Sequence, residues 1–250
     1  MKELDSLVAL TKQLRKECPW DREQTHESLK QHLIEESYEV VDALDSGSPA
    51  RLGEELGDLL LQVLFHANIA EEQGAFTLAD VARTLEKKLV DRHPHVFGNT
   101  PASGAGEVKE NWEKLKMHEG RVSVLDGIPP HLPALLHATR IQEKASAAGF
   151  DWKRPDQVVI KISEETGELA AAAHGGDPEK IRGEFGDLLF SLVNYARFIR
   201  VDPEGSLRGT IRKFRERFTY IEDELRKSGR TPADSSLEEM DGLWNEAKKK

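Results

Sequence analysis

The chain has 250 residues, enough for one large domain or two smaller ones with a real core. Charged side chains make up 32% of it and the formal net charge is −10, which excludes a globally basic nucleic-acid surface and requires cations wherever an anionic substrate is held. The single cysteine, Cys18, excludes an intrachain disulfide framework; with no apolar run of about 18 residues and no apolar signal core near Met1, the expected location is the cytoplasm.

Helical patterns dominate from the start. Leu4, Leu7, Val8 and Leu14 predict an amphipathic helix. An acidic helix follows over Glu27 to Leu44 and stops at the breaker Asp45-Ser46-Gly47-Ser48-Pro49, where Ser48 suits an N-cap and Pro49 the first helical position. The next helix, about Ala50 to Glu71, is apolar almost all round and belongs in the middle of a bundle. Gly98 to Gly106 reads as a loop. Glu119 to Pro133, with Gly127-Ile128-Pro129-Pro130, reads as a linker between a domain at 1–118 and one at 134–250. Leu135, Leu136 and Ile141 then mirror the first helix. Val158 to His174 is a second acidic helix, ended by Gly175-Gly176-Asp177-Pro178, and Glu179 to Ile199 a second apolar one. No convincing set of alternating strands is present, so the expected fold is all-α, two tandem four-helix-bundle-like domains.

The two halves repeat each other. Glu35-Glu36-x-x-Glu39 returns as Glu164-Glu165-x-x-Glu168, and Glu55-x-Gly57-Asp58 as Glu184-x-Gly186-Asp187, both 129 positions on. Trp20 pairs with Trp152, and Trp112 with Trp244, at an offset of 132, which suits small loop changes outside the acidic core.

Helical spacing puts Lys161, Glu165 and Glu168 on one face, and Glu184, Asp187, Ser191 and Asn194 on one face of the next helix. The turn between them makes the helices antiparallel neighbours, so the acids face each other. Two carboxylates at about 4 Å repel by roughly 4 kcal/mol at an effective dielectric near 20. Protonation or a bound cation relieves that, and an all-oxygen donor set suits Mg²⁺, with Mn²⁺ the alternative. A di-iron site would want Glu-x-x-His on two helices, which the chain lacks, and His93-Pro94-His95 has no further ligands nearby for zinc. There is no Walker or Rossmann glycine motif, and Glu164-Glu165-Thr166-Gly167 echoes only part of a Nudix box. Gly57 and Gly186, costly in a helix by about 1 kcal/mol each, point to a close approach of another backbone or a ligand.

Taken together, Cys18-Pro19-Trp20-Asp21, Gln24-Thr25-His26, the two acidic motif pairs, His93-Pro94-His95-Val96-Phe97, Asp126-Gly127-Ile128-Pro129-Pro130, Gly149-Phe150-Asp151-Trp152 and Leu243-Trp244 resemble the MazG family of nucleoside triphosphate pyrophosphohydrolases over nearly the whole chain. The resemblance implies a homodimer and Mg²⁺-dependent hydrolysis of a nucleoside triphosphate to the monophosphate and pyrophosphate, tolerant of the base, in nucleotide-pool house-cleaning. It implies Glu165, Glu168, Glu184 and Asp187 as metal ligands, with Glu36, Glu39, Glu55 and Asp58 their first-copy counterparts. It implies nucleotide contacts from Lys161, Ile162, Ser163, Glu164 and Glu165, from Lys180, Ile181, Arg182 and Gly183, and from Asp187. It implies others from Lys213, Phe214, Arg215, Glu216 and Arg217, and from Trp244. Glu164 is the candidate general base beside the ligand Glu165, and Asn194, on the same polar face as Asp187, is a further candidate nucleotide contact.

The copies differ around the acids. At the same offset Lys161 corresponds to His32, Asn194 to Phe65 and Lys213 to Thr84, while Arg217 keeps a cation as Lys88. The second copy is therefore expected to be the main catalyst. The competing function is a metal- and nucleotide-binding regulatory module without turnover.

Overall fold

The computed structural model describes residues 2–98, 104, 108 and 123–249. Its regular elements are all helical, and the chain divides into two compact units, Met1–Val108 and Lys109–Lys250. Trp112 and most of the 98–106 loop lie outside the described residues, as does the first part of the 119–133 linker.

In the first unit, α1 (Lys2–Glu17) leads into the short α2 (Pro19–Glu23), then α3 (Lys30–Ser46), α4 (Pro49–Glu72), α5 (Leu78–Arg92) and the single turn α6 (Pro94–Phe97). The acidic helix α3 starts three residues later than its pattern suggests. Thr25 and Ser28 exchange backbone-to-hydroxyl bonds at 2.9 and 3.1 Å, an alternative to helix typical of these side chains. This turn delivers Leu29 to the core, where it packs with Phe65 and Ile69 of α4. α1 packs along α4 through Asn68, which donates to Thr11 at 3.2 Å. The buried Arg15 donates to the carbonyls of Asp21 and Gln24 and pairs with Glu72 at 2.6 Å, tying α1, the following loop and α4 together.

The second unit holds α7 (Ala134–Ala147), α8 (Pro155–Gly175), α9 (Pro178–Phe198), α10 (Pro203–Lys227), a 3₁₀ turn at Pro232–Asp234 and α11 (Leu237–Ala247). α8 and α9 form the tightest helix pair, and α7 packs against both α9 and α10. Lys144 on α7 is buried and donates to Val124 and Asp126 carbonyls at 3.1 and 2.9 Å, so the turn ending the linker is fastened to this unit.

The hairpins that carry the acids are built alike. α3 ends on Gly47 at φ 66° and α8 on Gly176 at φ 72°, the left-handed conformation that glycine adopts without a steric penalty. Ser48 then accepts from the Arg51 N–H, and Asp177 from those of Glu179 and Lys180, with Pro49 and Pro178 opening α4 and α9. Both turns sit where the breaker residues indicate, and they fold the acidic helix back on the apolar one.

The apolar helices are not buried all round. α4 buries Leu64, Phe65, Ala67, Ile69 and Ala70 but leaves Leu56, Leu60 and Val63 exposed. α9 leaves Phe185, Leu189, Phe190 and Leu192 exposed. A Cβ added at Gly57 or Gly186 would meet open space. No backbone among the described residues crowds either glycine, contrary to that part of the sequence expectation.

Candidate metal and nucleotide site

The acids converge in both copies. In the first, one carboxylate oxygen from each of Glu36, Glu39 and Glu55 lies within 4.8 Å of the others. In the second, the same holds for Glu165, Glu184 and Asp187. Across an octahedral magnesium ion, opposite oxygens are about 4 Å apart, given bonds of roughly 2.1 Å, so the spacing of either trio is near the span of one ion's ligands. The fourth acid of each set faces the trio electrostatically. Glu36 is held above the ordinary carboxylate range by desolvation and then by Asp58, Glu39 and Glu55. Glu168 is raised by desolvation and then by Glu165 and Glu184. Glu55 is raised by desolvation and then by Glu39 and Glu54. In all three acids desolvation is the larger cause and the neighbouring carboxylates add to it. All-carboxylate donors fit a hard divalent cation and do not fit a thiol- or imidazole-seeking one. His93 and His95 join neither acidic group.

The counter-charge inside the second site is Lys161. Its Nζ lies 2.8 Å from Glu164 and 2.7 Å from Glu165, and these bonds hold the ammonium well above its ordinary range. Glu165 is buried, with its side chain only 6% exposed, whereas Glu164 points to solvent at 53%. One acid of the Glu-Glu doublet thus enters the cluster and the other stands at its rim. In the first copy His32 takes the position of Lys161 and meets Glu35 at 3.3 Å, and Arg51 lies 3.9 Å from Glu55.

The remaining sequence candidates divide. Lys180 and Gly183 sit exposed on the first turns of α9, while Arg182 pairs with Glu179 at 3.0 Å and Ile181 is half-buried. Ile162 is half-buried and Ser163 is exposed, bonded back to the Val159 carbonyl at 3.1 Å. Lys213, Phe214, Arg215 and Glu216 are exposed on α10, and Arg217 is half-buried. Trp244 on α11 packs on that helix, with its ring 5.2 Å from Phe214 and 5.3 Å from the Arg217 guanidinium. No ion pair among the described residues joins Lys213, Arg215 or Arg217 to the carboxylates of α8 and α9. Asn194 lies on the polar face of α9, and its Oδ1 is buried with no partner among the described residues.

In the sequence Gln142 reads as an ordinary helix-surface residue. It is buried, donates through Nε2 to the Phe190 carbonyl at 2.8 Å, and its Oε1 has no partner among the described residues. No periodicity distinguishes such a residue from a solvated glutamine.

The MazG nucleotide pyrophosphohydrolase domain model matches residues 24–97 and 154–221, the two segments that carry the acidic hairpins. The chain belongs to the MazG family. It is similar over 98% of its length to the nucleoside triphosphate pyrophosphohydrolase/pyrophosphatase MazG of Thermotoga maritima, at 49% identity and over 95% of that protein. It is 38% identical to the nucleoside triphosphate pyrophosphohydrolase of Escherichia coli K12, over 100% of this chain and 98% of that one. An uncharacterised Bacillus subtilis protein, YabN, is 45% identical over 92% of the chain, which corresponds to 48% of YabN. The MazG hairpin thus occurs twice here, each time with its acids gathered. No helix among the described residues is long and apolar enough to cross a membrane.

Proposed function

We propose that this chain hydrolyses nucleoside triphosphates to the monophosphate and pyrophosphate, with Mg²⁺ or Mn²⁺ held by the gathered carboxylates. The observation that carries the reading is the trio Glu165, Glu184 and Asp187, packed within 4.8 Å with Lys161 beside it, inside a segment matched by the MazG model. Full-length similarity to proteins named for that activity supports it.

In the second copy Glu165, Glu168, Glu184 and Asp187 hold the cation, and their first-copy counterparts are Glu36, Glu39, Glu55 and Asp58. When bound, the cation supplies Lewis-acid neutralisation of the phosphates and lowers the pKa of a water for attack at the α-phosphorus. The chain's own groups do the rest. Lys161, already cationic and already in the site, shifts from Glu164 towards the phosphate oxygens and stabilises the charge that develops on leaving pyrophosphate. Its release leaves Glu164 free to take a proton from the attacking water. Lys180 and the backbone N–H groups at the start of α9 add positive potential. The basic segment Lys213–Arg217 and Trp244 complete the nucleotide contacts. The second copy is the main catalyst, because the first has His32 and Phe65 where the second has Lys161 and Asn194.

Broad base tolerance follows if recognition is dominated by metal and phosphates, and a nucleotide-cleansing role in the cytoplasm suits that breadth. The exposed apolar residues Phe185, Leu189, Phe190 and Leu192, set on one of the two acidic hairpin helices, support a homodimer closed over this face. The test is product analysis with mixed nucleotides and Mg²⁺: pyrophosphate and monophosphate in equal amounts are expected. Metal and nucleotide binding without product would instead establish the regulatory reading.

A further inference from the structure

Along α9 the face that carries Glu184 and Asp187 continues through Ser191, which is buried, to Asn194. Asn194 stands seven residues beyond Asp187, about 10 Å along the axis at roughly 1.5 Å per residue. Gln142 reaches this stretch from α7: its Nε2 bonds the Phe190 carbonyl at 2.8 Å, one turn beyond Asp187 and one turn before Asn194. Gln142 is 4% exposed, and its Oε1 has no donor among the described residues; neither has Asn194 Oδ1. Two orphaned carboxamide acceptors therefore sit within two turns of the same helix, just past the acids. Each such acceptor left unpaired costs on the order of 1–3 kcal/mol, which a donor brought to this stretch of α9 would recover. In the first copy the position of Asn194 is Phe65, which is 4% exposed and packed with Leu29 and Ile69, so this carboxamide pair is not repeated there; the unpaired buried atoms on α4 are instead Gln62 Oε1 and His66 Nε2.

We propose that Gln142 and Asn194 form the nucleoside-reading end of the second site, accepting hydrogen bonds from O–H or N–H donors of the sugar or base. This rests on the pyrophosphohydrolase reading for the placement of the phosphates. With those at the carboxylates, the nucleoside extends along α9 towards Asn194. Acceptors suit the sugar hydroxyls that every nucleotide shares, so selective hydrogen bonding here is compatible with tolerance of the base. Both carboxamide oxygens are buried, so binding requires them to become accessible to the ligand.

The experiment compares the wild-type chain with Gln142→Met and Asn194→Ala, each checked for an unchanged melting temperature. Calcium replaces magnesium so that binding is read by calorimetry without turnover. The ligands are ATP, 2′-deoxy-ATP, 3′-deoxy-ATP, GTP, UTP and inorganic tripolyphosphate. The wild type is expected to bind at least one donor-deleted nucleotide about fivefold or more weakly than its parent, and that ratio is expected to fall towards one in both variants. Tripolyphosphate affinity should not change. Collapse of the deoxy ratios identifies the sugar as donor, and collapse of the differences between bases identifies the base. Unchanged ratios in both variants, or an equal loss for tripolyphosphate, would overturn the proposal. If Gln142→Met melts early, Asn194→Ala decides alone. Absence of pyrophosphate release from wild-type chain with Mg²⁺ would defeat the proposed reaction while leaving this binding result to stand or fall by itself.

Discussion

Lys161 Nζ lies 2.7 Å from Glu165, and that pair places a cation against the most deeply buried acid of the second cluster. The same ammonium also holds Glu164 at 2.8 Å, so a single side chain links the carboxylate inside the cluster to the one at its rim. Lys161→Met removes the charge and keeps the stem. Without it the cluster is more repulsive and the developing pyrophosphate loses a stabilising cation. The expected result is a fall in kcat of about 10²-fold or more, the scale seen when one donor to a developing anion is removed. Metal affinity should hold or rise, since a competing cation has gone. Steady-state pyrophosphate release alongside metal titration separates the two effects.

The raised acids set a pH dependence. Glu36, Glu55 and Glu168 each bind a proton more readily in the folded chain than in the unfolded one, so without metal they destabilise the fold. That penalty is fully present above their folded pKa values and disappears as the pH falls below the unfolded carboxylate range. A divalent cation offsets both the desolvation of these carboxylates and the repulsion from their acidic neighbours. The increase in melting temperature caused by Mg²⁺ should therefore be larger at pH 8 than near pH 5, where protons compete for the oxygens. Thermal scans with and without Mg²⁺ at several pH values test this; an increment that does not shrink on acidification contradicts it.

The hairpin turns make a stability prediction independent of metal. Asp177 accepts two backbone N–H groups at the start of α9, and Asp177→Ala should cost about 1 kcal/mol. Gly176→Ala, at φ 72°, should cost a similar amount, because the left-handed conformation disfavours a Cβ by roughly 1–2 kcal/mol. Chemical denaturation of each variant is the measurement.

The two copies should differ in effect. Glu39→Ala is expected to reduce pyrophosphate release less than Glu168→Ala, since the first cluster has His32 in place of Lys161 and Phe65 in place of Asn194. Equal losses, measured under saturating nucleotide, would mean that both hairpins turn over substrate.

Much of this architecture is legible in the sequence because the governing interactions are local. Gly47-Ser48-Pro49 and Gly176-Asp177-Pro178 specify where one helix stops and the next begins, and helical spacing then dictates that Glu36 and Glu39 face Glu55, and Glu165 faces Glu184 and Asp187. What depends on packing between distant segments is not legible. The periodicity of α4 and α9 shows apolar residues on all sides but not which of them stay exposed, since that depends on neighbours beyond the hairpin. Trp244 carries no sign of its contacts with Phe214 and Arg217, and Gln142 none of its approach to Phe190. The late start of α3 reflects hydroxyl-to-backbone bonds of Thr25 and Ser28, which compete with the helix that the apolar pattern alone would begin at Glu27.

On this reading the gathered carboxylates hold the divalent cation on which pyrophosphate release depends. The most direct measurement is Mn²⁺ binding by electron paramagnetic resonance on the full chain, paired with pyrophosphate release, for the wild type and for Glu165→Gln/Glu168→Gln. The double variant, folded as judged by circular dichroism, is expected to lose the second-copy Mn²⁺ site and at least about 10²-fold of its activity. Wild-type Mn²⁺ stoichiometry and wild-type activity in that variant would contradict it.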